Sequence, residues 1–419
     1  MAAKKAAPPG GLFECRVARL FNRQGSFVRR RVDLNRRFTP SRLTVTDLDL
    51  LVIDFGVDLR PTRTIVECKT GTSVRELDRM IWLSGLAKLT DAQRAALFMS
   101  GRASSKSRQV GRELDVLLQD EGDLTRREKS LGIDRMPEWG SHDPELLVRE
   151  DEVRKASRTL GPDVERAYWF LRSEFWHIPP SLAVKRSIAA ITALSRLNVR
   201  GVQADEGVAL SWLIADAVTA FCVAAVELAG NALILPREDF ERFMVERLAE
   251  GLASYAHLQR LSEVVDRLVV STLNAAGVGH AETVGALGAL APRPPSYADA
   301  LIEVIERLSE RPRAARHLPL IVDYVFARTV RQPGELSGLR AFPVDSPGDA
   351  LALARLCMAF LKGQAHLHAP LAGAFDTASE GTPTSTLFAT EGGHPTDALP
   401  VLPSGGQQTE DDGATFQLS

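Results

Sequence analysis

Apolar residues recur at helical spacing from Leu12 to Gln24, where Leu12, Phe13, Val17, Leu20 and Phe21 share one face. Gly25 is a natural stop, and Ser26 to Val32 (SFVRRRV) reads as a basic strand. Leu43 to Phe55 is a second strand and Thr64 to Lys69 a third, joined by GVDLRPTR, whose Gly, Asp and Pro suit a hairpin loop. Ser73 is placed to cap a helix running to about Leu86, with Glu76 at the capping-box position. Ala95 to Met99 is a short apolar strand, Ser105 to Glu113 a polar helix, and Leu114 to Leu118 another apolar run. Helix, antiparallel strands, helix, strand, helix, strand is the order of an α/β layer of domain size.

The stretch from Glu121 to Asp143 is polar with scattered Gly and Pro, and reads as a boundary. Beyond it, periodic apolar segments near 162–176, 180–197, 205–230, 237–250, 253–275, 297–310, 315–330 and 348–362 predict an almost wholly helical region. No fixed repeat period supports a solenoid. From Leu371 the chain turns rich in Gly, Thr, Ser and Pro and ends acidic, the composition of a disordered tail. The expected organisation is therefore a disordered start (1–10), an α/β domain (11–140), an all-helical domain (144–370) and a disordered acidic tail (371–419).

Charge changes this picture more than composition does. The net charge of -2 over 419 residues conceals an excess of eight basic residues in 1–140 and of seven acidic ones in 371–419. The basic end is the α/β part, as expected where a segment meets a polyanion such as nucleic acid. The middle is slightly acidic and lacks a basic stripe, so a protein partner suits the helical domain better than DNA does. Cys15, Cys68, Cys222 and Cys357 are widely spaced, with neither zinc-ligand spacing nor a disulfide framework, which fits a reducing, cytoplasmic compartment. MAAKKAAPPGG lacks the apolar stretch of a secretory signal. The most apolar run, Ala217 to Val226, spans only about half a membrane and predicts a buried helix, with no membrane partner.

The chemistry concentrates between Leu43 and Lys69. Asp47 and Asp49 open one apolar strand, and Glu67 and Lys69 close the next. Because residues i and i+2 of a strand face one side, Asp49, Glu67 and Lys69 can converge on one point. Mg²⁺, or Mn²⁺ in its place, favours such carboxylate oxygens, and the backbone carbonyl of Cys68 offers another. A cation there polarises a phosphodiester and acidifies a bound water, while a lysine orients that water or offsets developing charge.

This segment resembles the PD-(D/E)XK nuclease superfamily, the restriction-endonuclease-like fold, over roughly residues 11–120. The resemblance implies a mixed central sheet flanked by helices, with Glu14 as the acid of the opening helix. It makes Asp49 the metal-binding aspartate and Glu67 and Lys69 the Glu-x-Lys pair. It further implies metal-dependent cleavage of DNA in genome defence or repair. The family's Pro-Asp is here Thr46-Asp47-Leu48-Asp49, so either aspartate is open as the ligand; Asp49 is preferred because four apolar residues follow it. Members that lost activity generally lose one of the acids or the lysine, and this chain keeps all four positions.

Other features carry blander readings. Arg29, Arg30 and Arg31 are candidate phosphate contacts or a charged strand edge that resists aggregation. Arg16, Arg19 and Arg23 read as the solvated face of the first helix. His366 and His368 lack further ligands at metal spacing, and GVGHAETVG lacks the lysine of a phosphate loop. A second reading keeps the fold without the chemistry: a nucleic-acid-binding or protein-interaction scaffold whose helical domain carries the main role.

Overall fold

Strands β1 (Phe27–Phe38), β2 (Ser41–Phe55) and β3 (Pro61–Lys69) form an antiparallel meander, since short turns can join only antiparallel neighbours. The next two strands, β4 (Arg94–Met99) and β5 (Val116–Asp120), run parallel to β3. Each is reached through a helix, α2 (Glu76–Leu89) and then α3 (Ser105–Glu113), as parallel pairing requires. The result is one mixed sheet in the order β1-β2-β3-β4-β5. A computed structural model describes residues 9–38, 41–71, 75–135, 139–197, 204–250, 255–277, 293–331, 344 and 346–376. The expected cap at Ser73, the outer part of the expected disordered start (1–8) and the bulk of the expected tail (377–419) lie outside these residues.

The sheet is covered on both faces. On one, α1 (Pro9–Arg23) and α4 (Glu121–Ser130) enclose a core of Phe13, Val17, Leu20, Val28, Leu50, Val66 and Phe98. On the other, Leu51, Ile53, Ile65 and Leu97 meet Met80 and Leu83 of α2 in a core that continues into the helical region. Covering both faces explains why β3 and β4 read as continuous apolar runs and not as alternating ones.

The helical region comprises α5 (Pro144–Thr159), α6 (Pro162–Arg172), α7 (Pro180–Ser195), α8 (Ala204–Ala232), α9 (Arg237–Ala249), α10 (Tyr255–Ala275), α11 (Ala298–Ser309), α12 (Pro312–Ala315), α13 (Leu318–Phe326), α14 (Pro347–Ala365) and α15 (Ala369–Gly373). A π-helical turn, Ala327–Arg331, extends α13. The central member is α8. Its segment Glu206–Ala232 is long and apolar enough to cross a membrane, with a most apolar window of mean hydropathy 1.9, yet 89% of that window is buried inside the protein. It therefore serves as the core helix around which the others pack. Gly230 lets it touch the loop between β2 and β3: a Cβ there would sit 3.2 Å from the Asp58 and Leu59 carbonyl oxygens.

Several details differ from the sequence reading. The described residues 121–135 and 139–143 are folded, with α4 bound to α1 through Arg16, which pairs with Glu121 and Glu128 at 2.7 Å. Arg19 and Arg23 are buried, not solvated, and Arg19 lies 4.7 Å over the Trp139 ring. β5 begins at Val116, not Leu114, because α3 runs to Glu113 and Asp115 takes a left-handed φ of 54°. The body continues past 370, where Leu371 of α15 and Phe375 are buried. The described residues, 9 to 376, belong to one compact unit.

Candidate active site

The β2–β3 ladder ends at the pair Leu50–Val66. One residue further, the strands part, and the gap is where the acids lie. The carbonyls of Arg63 and Lys69 accept from the N–H groups of Gln93 and Ser100, the residues just before and just after β4, so the intervening even-numbered peptides of β3 point toward β2. The Cys68 N–H accordingly donates to Asp49 Oδ2 at 2.7 Å, with a side-chain carboxylate replacing the missing strand partner. By the same geometry the Cys68 carbonyl faces this gap, beyond the last ladder pair.

Glu67 and Lys69 flank Cys68 on the opposite pleat. Lys69 Nζ lies 2.5 Å from Glu67 Oε1 and 4.0 Å from Asp49 Oδ2. The Asp49 and Glu67 side chains are 16% and 5% exposed against 29% for Lys69, so the acids are recessed and the ammonium faces outward. Arg79 of α2 approaches Glu67 Oε1 at 3.7 Å, a neighbour for which the sequence carries no motif.

A kink in the sheet sets this geometry. Arg30–Leu50 and Val32–Leu48 are register pairs, so Arg31 faces Asp49 across β1 and β2. Arg31 has φ 54°, a left-handed conformation that costs a non-glycine residue about 1–3 kcal/mol. Either side of this point the alternation inverts. Val28 and Leu50 belong to the core under α1, whereas Val32 and Leu48 belong to the opposite core. Both strands thus turn over at the Arg31–Asp49 position, which frees Asp49 from the regular pleat.

The electrostatics are those of a crowded acid pair. Burial first, and then the charge of Glu67, push the Asp49 carboxyl up to about 7, against the pull of its hydrogen bond from Cys68 and of Lys69. Burial disfavours the Lys69 ammonium, but its hydrogen bond to Glu67 and the field of Asp49 win and raise its pKa. Glu14 stands at the rim on α1. Its Oε2 is buried without a hydrogen bond and 3.8 Å from Arg31 Nε. Burial raises its pKa, with Arg31 and Arg30 opposing.

The structure brings together Asp49, Glu67, Cys68 and Lys69, with Glu14 acting on Asp49 through space. Asp47 is exposed and paired in register with Asp33, away from these contacts. Arg29 and Arg30, candidates for phosphate contact, turn inward instead. Arg29 pairs with Asp216 at 2.9 Å, and Arg30 with Glu150 at 2.7 Å and the Cys15 sulfur at 2.9 Å. Only Arg31 of the three stays near the acids. His366 ends α14 in a left-handed conformation, φ 55°.

The donor set suits a hard divalent cation: two recessed carboxylates and a peptide oxygen. Among the described residues no three His, Cys, Asp or Glu side chains group as a complete metal cage. Any cation here therefore relies on the Cys68 carbonyl and water for its remaining positions. No protein-family model matches the sequence, and neither a curated protein nor a solved structure matches the chain.

Proposed function

We propose that the chain is a Mg²⁺- or Mn²⁺-dependent nuclease that hydrolyses DNA phosphodiester bonds at Asp49, Glu67 and Lys69. The observation that carries this reading is their meeting, with the Cys68 peptide, where the β2–β3 ladder opens. The order of helix, three antiparallel strands, helix, strand, helix, strand supports the restriction-endonuclease-like resemblance and its implied role in genome defence or repair. The basic character of the segment supports a polyanionic substrate.

A cation bound by Asp49, Glu67 and the Cys68 carbonyl would supply Lewis acidity toward the phosphate and a more acidic water. Asp49 and Glu67 bind and orient it. Lys69, kept protonated by its two acids, donates to the attacking water or a phosphate oxygen and offsets charge on the pentacovalent transition state. Glu14 completes the rim and orders water from the α1 side. Arg31 lies 3.8 Å from Glu14 and brings a part-exposed guanidinium toward the substrate.

Cleavage of single-stranded, duplex and branched DNA with Mg²⁺ or Mn²⁺, with Glu67→Ala as control, tests the proposal. Cleavage confined to the wild type supports it; equal cleavage by both proteins, or none by either, counts against it. A scaffold without chemistry is the second reading, favoured by one observation: Arg29 and Arg30, two of the three consecutive arginines of β1, are spent on internal ion pairs. In that case Lys69→Ala leaves every cellular effect intact, and a partner binds the helical region.

A further inference from the structure

Behind β1, on the side away from the acid site, lies a small polar chamber between the sheet and the helical region. Its volume is about 40 Å³, enough for one tetrahedral oxyanion or two or three waters. Four of its lining residues carry buried polar atoms without hydrogen-bond partners: Ser141 Oγ, both ring nitrogens of His142, Glu150 Oε2 and Arg331 Nε. Such orphans are uncommon in folded proteins, and five in one chamber are not explained by packing. His142 is 2% exposed and Arg331 4%, so neither can turn to solvent.

The orphans have a definite chemistry. Burial, reinforced by Arg30 and Arg331, lowers the His142 pKa and keeps the imidazole neutral, with one donor and one acceptor nitrogen. The chamber therefore offers three donors, from Arg331, Ser141 and His142. It offers two acceptors, Glu150 Oε2 and the bare His142 nitrogen. The charged groups around it are matched: Arg29 and Arg331 with Asp216, Arg331 also with Asp323, Arg30 with Glu150, and Arg172 with Asp33. With the charges balanced, hydrogen bonding decides what fits.

We propose that this chamber is a binding site for a small protonated oxyanion, inorganic phosphate in kind. Its bare oxygens accept from Arg331, Ser141 and His142, while its P–OH groups donate to Glu150 and the remaining His142 nitrogen. Sulfate, which carries no proton at neutral pH, sets an oxygen against the Glu150 carboxylate and binds more weakly. This assignment is independent of the nuclease reading.

Calorimetric titration of the full chain with phosphate and sulfate, at matched ionic strength and pH 7, tests it. Phosphate is expected to bind on the order of tenfold more tightly than sulfate, the worth of one charge-assisted hydrogen bond. Ser141→Ala and His142→Ala weaken phosphate, Glu150→Gln narrows the gap to sulfate by adding a donor, and Glu67→Ala leaves binding unchanged. Ser141→Ala removes a single hydroxyl and keeps the test usable if His142→Ala fails to fold. Methyl phosphate binds more weakly than phosphate if the ligand is the free anion. The proposal is overturned by absence of phosphate binding, by equal affinity for the two anions, by indifference to Ser141, or by tighter binding of the methyl ester. Loss of binding in Glu67→Ala would likewise overturn it, by moving the anion to the acid site.

Discussion

Two clusters of carboxylates and cations lie on either side of β1, and they are built to opposite ends. In the interior cluster Asp216 takes Arg29 at 2.9 Å on one oxygen and Arg331 on the other, and Asp323 holds the second Arg331 nitrogen at 2.6 Å. Burial works against the Asp216 charge, but the two guanidiniums outweigh it and lower its pKa. Where the β2–β3 ladder opens, Asp49 has no guanidinium of its own. Burial and Glu67 push it the other way, to about 7. The first cluster has its charges matched and ties the sheet to α8 and α13; the second leaves Asp49 without a matching guanidinium, and the proposed function completes it with a divalent cation. Similar residues, differently balanced, separate a structural clamp from a candidate site.

The comparison is broken most severely by removing the interior anion. Asp216→Ala leaves Arg29 and Arg331 facing each other without it, and is expected to cost about 3–5 kcal/mol in chemical denaturation. A loss below about 1 kcal/mol would show that the clamp is not what the geometry implies. Lys69→Ala acts on the other cluster: cleavage should fall on the order of 10²–10³-fold with the melting temperature nearly unchanged.

Asp49→Asn sharpens the contrast through its pH dependence. A carboxyl whose folded pKa is raised contributes stability that is fully present below its unfolded value and lost as pH rises through the folded one. The loss in the metal-free protein therefore develops from pH near 4 to above 7. The asparagine keeps an acceptor for the Cys68 N–H and does not ionise. It should stabilise the metal-free protein at pH 8, by at most about 4 kcal/mol, and abolish cleavage. The stabilisation should fade by pH 4, and urea denaturation across that range measures it. Arg79→Ala, which removes a 3.7 Å contact from a half-exposed side chain, should change stability by less than about 1 kcal/mol and cleavage only slightly.

How much of this was legible in the sequence depends on the range of the interaction. The convergence of Asp49, Glu67 and Lys69 follows from pleat spacing and two strand assignments, so local pattern suffices. The strand order after Lys69 was readable for the same reason, apart from a two-residue slip at Leu114 and Asp115, between the end of α3 and β5. The fate of the β1 arginines was not readable. Asp216 and Glu150, their partners, lie 187 and 120 residues away, and no spacing rule reports that. Nor does Arg31 announce its left-handed turn, since arginine carries none of the preference that glycine or asparagine would show. Helix α4, inside the polar stretch read as a boundary, carried no apolar stripe to announce it: its stability comes from a capping box at Asp120 and from Arg16.

The central claim is that Asp49 and Glu67 form a cation site, and the most direct test does not need the natural substrate. Mn²⁺ binding can be followed by electron paramagnetic resonance on the wild type, Asp49→Asn and Glu67→Ala at pH 7.5. The account predicts one Mn²⁺ per wild-type chain, displaced by excess Mg²⁺, and loss of that site in both variants. Absence of binding in the wild type, or binding that survives both substitutions, would contradict it.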